Sequence, residues 1–286
     1  MRFSSIPETI EAQESLDGLA GKVADVIAKV VPTGPAKDAL SGTWLGHALH
    51  PMLTDLPIGF WTSSMVLDLV GGKKGRPAAD LLVTLGILSA LPTAATGLSD
   101  FADTVGAERR VGVVHAAANT VAVTCYLLSR RARRKGKRVR GVALGFLGGG
   151  AATVGGYLGG HLLETMGIGV DTTAFDRGPS DWTVAGSTDE LVEGAPVRMD
   201  VAGVGVMVVE RGGGLDAIAD RCTHRGGPLS EGDLVGDCIR CPWHGSMFRV
   251  DDGSVQHGPA TQPQPAYEAR ITDDKVEVRR ARTRPA

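Results

Sequence analysis

Two short runs constrain this chain more than any other feature: Cys222-Thr223-His224 and, sixteen residues after it, Cys241-Pro242-Trp243-His244. Each run offers a thiolate and an imidazole from one short loop, so the residues between them must fold back to bring the loops together. Four such ligands admit two metal readings. A single tetrahedral zinc accepts two thiolates and two imidazoles. A two-iron, two-sulfur core takes the thiolates on one iron and the imidazoles on the other. Zinc motifs usually group Cys-X-X-Cys apart from their histidines; here each loop mixes the two, which favours the cluster. Because imidazole is neutral, such a cluster carries less negative charge than an all-cysteine one and accepts an electron more readily.

The flanking residues extend the pattern. Cys222-Thr223-His224-Arg225-Gly226-Gly227-Pro228-Leu229 and Cys241-Pro242-Trp243-His244-Gly245-Ser246-Met247-Phe248 resemble the two cluster-binding loops of the Rieske ferredoxin family. Gly253 and Gly258-Pro259-Ala260 are similar to its turn and proline loop, and the resemblance runs from about Asp181 to Arg280. It implies a 2Fe–2S cluster ligated by Cys222, His224, Cys241 and His244, with the Ser246 hydroxyl donating to a cluster sulfur. Two departures stand out. Gly227 and Trp243 occupy the places where Rieske proteins of cytochrome bc complexes carry a disulfide. Phe248 stands where high-potential members have a second hydroxyl donor. Fewer hydrogen bonds to sulfur stabilise the reduced state less, which implies a low-to-intermediate potential.

The chain has 286 residues, enough for two domains. Its net charge of −2 points away from nucleic acid. Of four cysteines, Cys125 and Cys238 remain outside the ligand set, so a structural disulfide is not expected. Residues 1–42 hold no long apolar run and so no cleavable signal is expected.

Ile10, Leu16, Leu19, Val23, Val26, Ile27 and Val30 recur at helical steps and predict an amphipathic helix over 7–31, packed on the protein or lying on a membrane surface. Four apolar stretches follow, at about 51–71, 77–98, 111–129 and 141–166, each near the ~20 residues that cross a bilayer. A soluble bundle is the alternative. Gly145, Gly149, Gly156 and Gly160 are spaced for close helix packing. Lys and Arg crowd the first and third connections, which the positive-inside rule assigns to the cytoplasm, leaving both chain ends outside.

Gly46-His47-Ala48-Leu49-His50-Pro51-Met52, Leu56-Pro57-Ile58-Gly59 and Gly159-Gly160-His161-Leu162 resemble an uncharacterised bacterial four-helix membrane family; that resemblance implies a fold but no activity. Ser129-Arg130-Arg131-Ala132-Arg133-Arg134-Lys135 is similar to the twin-arginine signals that precede the last membrane helix of actinobacterial Rieske proteins, and reads equally as a cytoplasmic anchor loop. The expected organisation is an N-terminal amphipathic segment (1–42), a four-helix transmembrane domain (43–170), a linker (171–180) and a β-rich iron–sulfur domain (181–286). In fold class this is a multidomain chain: an all-α transmembrane bundle followed by an all-β domain, whose Val197-Met199-Val201 and Val204-Val206-Val208 alternate as half-buried strands do.

His47, His50, His115 and His161 form a second constellation, in the helical half. Intramembrane ionisable groups are costly and mark function. Such histidines could ligate haem b or another metal, contact a quinone head group, or belong to a polar network with Asp55, Asp100, Asn119 and Glu164. The function these features imply is a membrane-anchored one-electron carrier between a membrane redox centre, haem or quinol, and a protein partner. An electron-supplying component of an oxygenase system and an iron–sulfur redox sensor are the alternatives. No self-contained catalytic site is visible, and the oligomeric state is not legible.

Overall fold

The structure, a computed structural model, describes residues 5–176 and 178–281. The chain forms two compact units: residues through Val31 together with Leu49–Ile168, and Pro32–Ala48 together with Gly169 onward.

The first unit is helical, with α1 (Ser5–Glu11) and α2 (Asp17–Val30) preceding the four long helices α4 (Leu49–Val70), α5 (Gly72–Ala102), α6 (Gly106–Arg134) and α7 (Arg138–Gly160). The single helix expected over 7–31 is broken at 12–16. Arg110 explains the break: it donates to the Glu11 carbonyl and forms a bidentate pair with Asp17, at 2.6 and 2.8 Å, so both flanking helix ends gain a partner. Ala20 and Ala24 are buried beside Phe101, while Leu19, Val26 and Val30 are exposed.

Connections of a few residues join the long helices, which forces antiparallel neighbours. Three segments are long and apolar enough to cross a membrane by length and composition: Gly72–Ala102, Gly106–Arg134 and Arg138–Thr165. That is one fewer than expected. α4 has the length, but His50, Asp55 and Asp68 dilute its apolarity. Trp61 of α4 and Tyr126 of α6 stack at 4.2 Å, and glycines make the room: a Cβ at Gly86 would strike the Trp61 ring, and one at Gly148 would come within 2.9 Å of Tyr126. The close-packing stripe on α7 differs in part from the expected one. Gly141, Gly145, Gly148, Gly155 and Gly159 face side chains of α6, Gly149 meets Met65, and Gly156 and Gly160 face open space. At 3.6 residues per turn the former set follows one line, and 156 and 160 fall one residue, about 100°, off it.

One end of this bundle carries buried charge. Arg133 and Arg138 each bridge Asp68 and Asp80, with Arg133 Nη1 2.9 Å from Asp80, and the side chains of Arg133 and Asp68 are each only 2% exposed. Arg133 falls within the arginine-rich run compared above with an export signal, so the fold itself accounts for that residue.

The second unit is built on two antiparallel sheets. Strands β1 (Thr183–Ser187), β2 (Val197–Val201), β3 (Val204–Arg211), β4 (Gly214–Ala219), β9 (Ala266–Thr272) and β10 (Lys275–Arg280) form one, in the order β1-β10-β9-β4-β3-β2. Strands β5 (Asp233–Val235), β6 (Cys238–Arg240), β7 (Met247–Arg249) and β8 (Val255–His257) form the other in sequence order. The expected alternation of β3 as a half-buried strand is exceeded. Val206 and Val208 enter one core with Met199, Val201 and Val276, while Met207 and Val209 enter a second core with Ile239, Phe248, Cys222 and Cys241. Burial on both faces explains why this strand reads as an unbroken apolar run. Helix α3 (Pro35–Ser41) also belongs to this unit, with proline at its start and Gly42 closing it at φ +87°.

Candidate metal centre

The first ligand loop follows β4, and the second is the turn of the β6–β7 hairpin, whose register pairs Arg240 with Met247. The two loops share one geometry. In the first, Gly226 N–H donates to the Cys222 carbonyl at 2.8 Å and Cys222 N–H to the Gly227 carbonyl at 2.9 Å. In the second, Gly245 N–H donates to the Cys241 carbonyl at 3.0 Å and Cys241 N–H to the Ser246 carbonyl at 2.8 Å. Gly226 and Gly245 both sit at φ +76°, where a side chain is strained, so a glycine four residues after each cysteine is a condition of the loop.

Cys222 and Cys241 are 1% and 2% exposed, and their side chains face each other closely enough to hydrogen-bond. That bond, followed by the N–H groups of Trp243 and His244, lowers the Cys241 thiol to about 7; the same bond and burial raise Cys222. The imidazoles of His224 and His244 lie edge to face with centroids 5.0 Å apart. Burial, with His244, Arg225 and Lys37 adding positive charge, holds His224 well below its ordinary value and therefore neutral, the form that binds metal.

The four candidate ligands thus form a thiol pair and an imidazole pair. Among the described residues no group of three or more His, Cys, Asp or Glu side chains is arranged to hold one ion. A two-iron cluster asks for pairs, whereas tetrahedral zinc asks for convergence of all four. The surroundings fit the cluster too: a Cβ at Gly227 would come within 2.8 Å of Cys241 Sγ and 3.1 Å of the Trp243 ring, so glycine keeps the space beside the sulfur open. Cys222 and Cys241 would hold one iron, and His224 and His244 the other. When bound, such a cluster supplies a one-electron couple.

The chain's own contribution is a dry, braced pocket. Ser246 is fully buried and its Oγ accepts the Ala260 N–H at 3.0 Å, which leaves its proton to donate. Thr223 Oγ1 donates to the Gln262 carbonyl at 2.8 Å, fastening the first loop to the proline loop, as Ser246 fastens the second. Phe248 is fully buried in the same core as the two cysteines. All four cysteines of the chain are free thiols.

The four histidines of the helical half divide. His50 and His115 come together with ring centroids 6.3 Å apart. His50 Nδ1 donates to the Thr93 carbonyl at 2.9 Å, His115 Nδ1 donates to the Gly155 carbonyl at 2.8 Å, and Asn119 lies 3.2 Å from His115 Nε2. His161 instead pairs with Glu11 at 2.7 Å. His47 is exposed and belongs to the other compact unit. Sequence reasoning missed Lys37 and Asp38, which belong to the unit that holds the ligand loops, because nothing near position 37 resembles a cluster motif.

Residues 181–268 match the Rieske [2Fe-2S] domain family, and residues 46–172 match a family described as Predicted membrane protein (DUF2231). The anthranilate 1,2-dioxygenase ferredoxin subunit of Burkholderia cepacia is 32% identical over 99 residues, covering 35% of this chain and 92% of that protein. The cytochrome b6-f complex iron-sulfur subunit of Chlorobaculum tepidum is 40% identical over 73 residues, covering 26% of this chain and 39% of that protein. A solved complex of reduced oxygenase and oxidized ferredoxin in carbazole 1,9a-dioxygenase aligns at 30% identity and a TM-score of 0.34, over 36% of this chain and 99% of that chain. With a β domain that spans almost the whole of a ferredoxin subunit 32% identical to it, this chain belongs to the Rieske [2Fe-2S] domain family, and its helical half matches the family described as Predicted membrane protein.

Proposed function

We propose that the protein is a membrane-anchored iron–sulfur carrier that passes one electron at a time between a membrane redox centre and a partner protein. The observation that carries this reading is the pairing of thiol with thiol and imidazole with imidazole on two loops of one geometry. Relatives named as a dioxygenase ferredoxin subunit and as a cytochrome-complex iron–sulfur subunit support an electron carrier with a redox partner. Three helices of spanning length support a lipid bilayer as the setting. Two of the arginines in the third connection neutralise Asp68 and Asp80; Arg130, Arg131, Arg134, Lys135, Lys137 and Arg140 remain beside Lys73, Lys74 and Arg76. That basic end is proposed as cytoplasmic, and the chain after α7 as extracytoplasmic. Supply of electrons to an oxygenase and redox sensing are the competing roles. Electron paramagnetic resonance of the dithionite-reduced, detergent-solubilised protein should show the low average g of mixed nitrogen and sulfur ligation, with two irons and two sulfides per chain. A preparation containing zinc and no iron would overturn the reading.

A second reading concerns the helical unit, as a redox centre in its own right. Because a carbonyl only accepts, Nδ1 of His50 and of His115 must carry a proton, the backbone-anchored tautomer that metal ligands use; the Nε2 lone pair of His115 faces the Asn119 amide at 3.2 Å, a contact that an iron would have to displace. Bound haem would give the purified protein a Soret band that His50→Ala or His115→Ala abolishes without disturbing the cluster signal. Absence of a Soret band, with those changes only lowering thermal stability, leaves the pair as a helix-linking polar network.

A further inference from the structure

The charged end of the helical unit holds a cavity of about 270 Å³ between α5 and α6, lined by Asp80, Leu81, Thr84, Arg130, Arg133 and Arg134. Its charges do not cancel. The Asp80 carboxylate is already met by Arg133 at 2.9 Å and by Arg138, and Arg133 is tied to Asp68 as well. Arg130 and Arg134, one turn apart on α6, pair with no carboxylate among the described residues. The Thr84 hydroxyl donates to the Asp80 carbonyl at 3.0 Å and accepts Arg130 Nε at 3.1 Å. That contact fixes the guanidinium by one edge and leaves its two Nη groups for a ligand. Two like charges gathered at one cavity repel, and an anion between them removes that cost. The same helix faces run on as apolar surface toward the middle of the bundle. Leu81, Thr84, Leu88 and Leu91 follow at helical steps along α5, and Leu127 lies one turn before Arg130 on α6; all four leucines are exposed. Both helices are long and apolar enough to cross a membrane.

We propose that this cavity binds the phosphate of an anionic phospholipid, with Arg130 and Arg134 on the phosphate oxygens and the acyl chains along Leu88, Leu91 and Leu127. The inference rests on the membrane reading above and adds a specific lipid site to it. A guanidinium presents paired N–H donors that match two oxygens of one phosphate, and two of them meet a headgroup's negative charge from one side of the cavity. Basic pockets between membrane helices on the cytoplasmic side suit such headgroups, and this end of the bundle is the one proposed as cytoplasmic. The cavity is somewhat smaller than the ~300–1,000 Å³ of sites that enclose a whole small molecule, which fits a headgroup whose tails stay outside. The leucine track decides between lipid and dissolved phosphate. Exposed leucines offer a free anion nothing, whereas they pack on acyl chains once the phosphate is seated. A zwitterionic headgroup brings its own cation to the same two arginines, so an anionic one is preferred.

The test titrates the full chain, in neutral detergent, against tail-labelled phosphatidylglycerol and follows fluorescence anisotropy. Unlabelled phosphatidylglycerol, phosphatidylcholine and inorganic phosphate serve as competitors. Binding should saturate at one lipid per chain, and unlabelled phosphatidylglycerol should displace the probe where equal concentrations of the other two do not. Arg130→Gln and Arg134→Gln should each weaken binding about fivefold. Arg131→Gln, at an exposed position outside the lining, should leave it unchanged. Wild-type affinity in both Arg130→Gln and Arg134→Gln overturns the proposal, and if Arg130→Gln fails to fold, the exposed Arg134→Gln decides. An equal loss in Arg131→Gln means diffuse charge attraction and overturns the site. Displacement by inorganic phosphate makes the cavity a free-anion site and overturns the lipid assignment. Recovery of the chain from the soluble fraction of cells would sink the membrane reading itself, a separate outcome, since a membrane-bound chain with no preference for phosphatidylglycerol fails the site alone.

Discussion

Replacing Ser246 by alanine tests the proposed electron site at a single oxygen. The side chain has no exposure to solvent, and its Oγ already accepts the Ala260 N–H at 3.0 Å. An accepting hydroxyl still has one proton to give, and the family resemblance assigns that proton to a cluster sulfur. Two losses therefore follow from one deletion. Ala260 N–H, on a residue with no solvent exposure, loses its acceptor, which costs about 1–3 kcal/mol. The reduced cluster, more negative than the oxidised one, loses a charge-assisted bond of about 1.5–3 kcal/mol. At roughly 59 mV per ~1.4 kcal/mol for one electron, the midpoint potential falls by on the order of 60–130 mV. A redox titration followed by electron paramagnetic resonance measures the second effect, and thermal unfolding the first. Lower stability with an unchanged potential would refute the reasoning, because the hydroxyl would then brace only the proline loop and not reach the cluster.

Phe248→Tyr should raise the potential by a similar amount, since Phe248 shares a buried core with both cysteines; an unchanged potential means that the new hydroxyl points elsewhere. Gly227→Ala puts a Cβ 2.8 Å from Cys241 Sγ and should cut iron occupancy severalfold, read by iron and sulfide analysis, whereas full occupancy would show that the loop can yield. Asp68→Asn leaves Arg133 and Arg138 short of one carboxylate in a buried network and should cost about 3–5 kcal/mol, seen as a fall in the unfolding temperature of the detergent-solubilised protein. For topology, Glu231→Cys in a Cys125→Ala, Cys238→Ser background should react with an impermeant thiol reagent in whole cells; reaction only after lysis would reverse the proposed orientation.

Much of this protein could be read from local chemistry. The ligand loops were legible because their demands are short-range: a cysteine, a histidine two or three residues on, and a glycine four residues on at a positive φ. The long helices were legible because apolar runs near bilayer length have few other uses. What the sequence could not decide depends on residues far apart in the chain. Two glycines of one spacing are equivalent on paper, yet only the neighbour across the interface determines that Gly155 meets Asn119 while Gly156 meets nothing. The break at 12–16 comes from Arg110, nearly a hundred residues away. Four histidines in one hydropathic region looked like one constellation; tertiary structure paired two of them, gave the third to Glu11 and the fourth to the other unit. The same holds for residues 32–48, which join the β unit only because Asp38, Thr43 and the Gly46 carbonyl meet a loop more than two hundred residues downstream, and hydrogen bonds of that range leave no periodicity in the sequence.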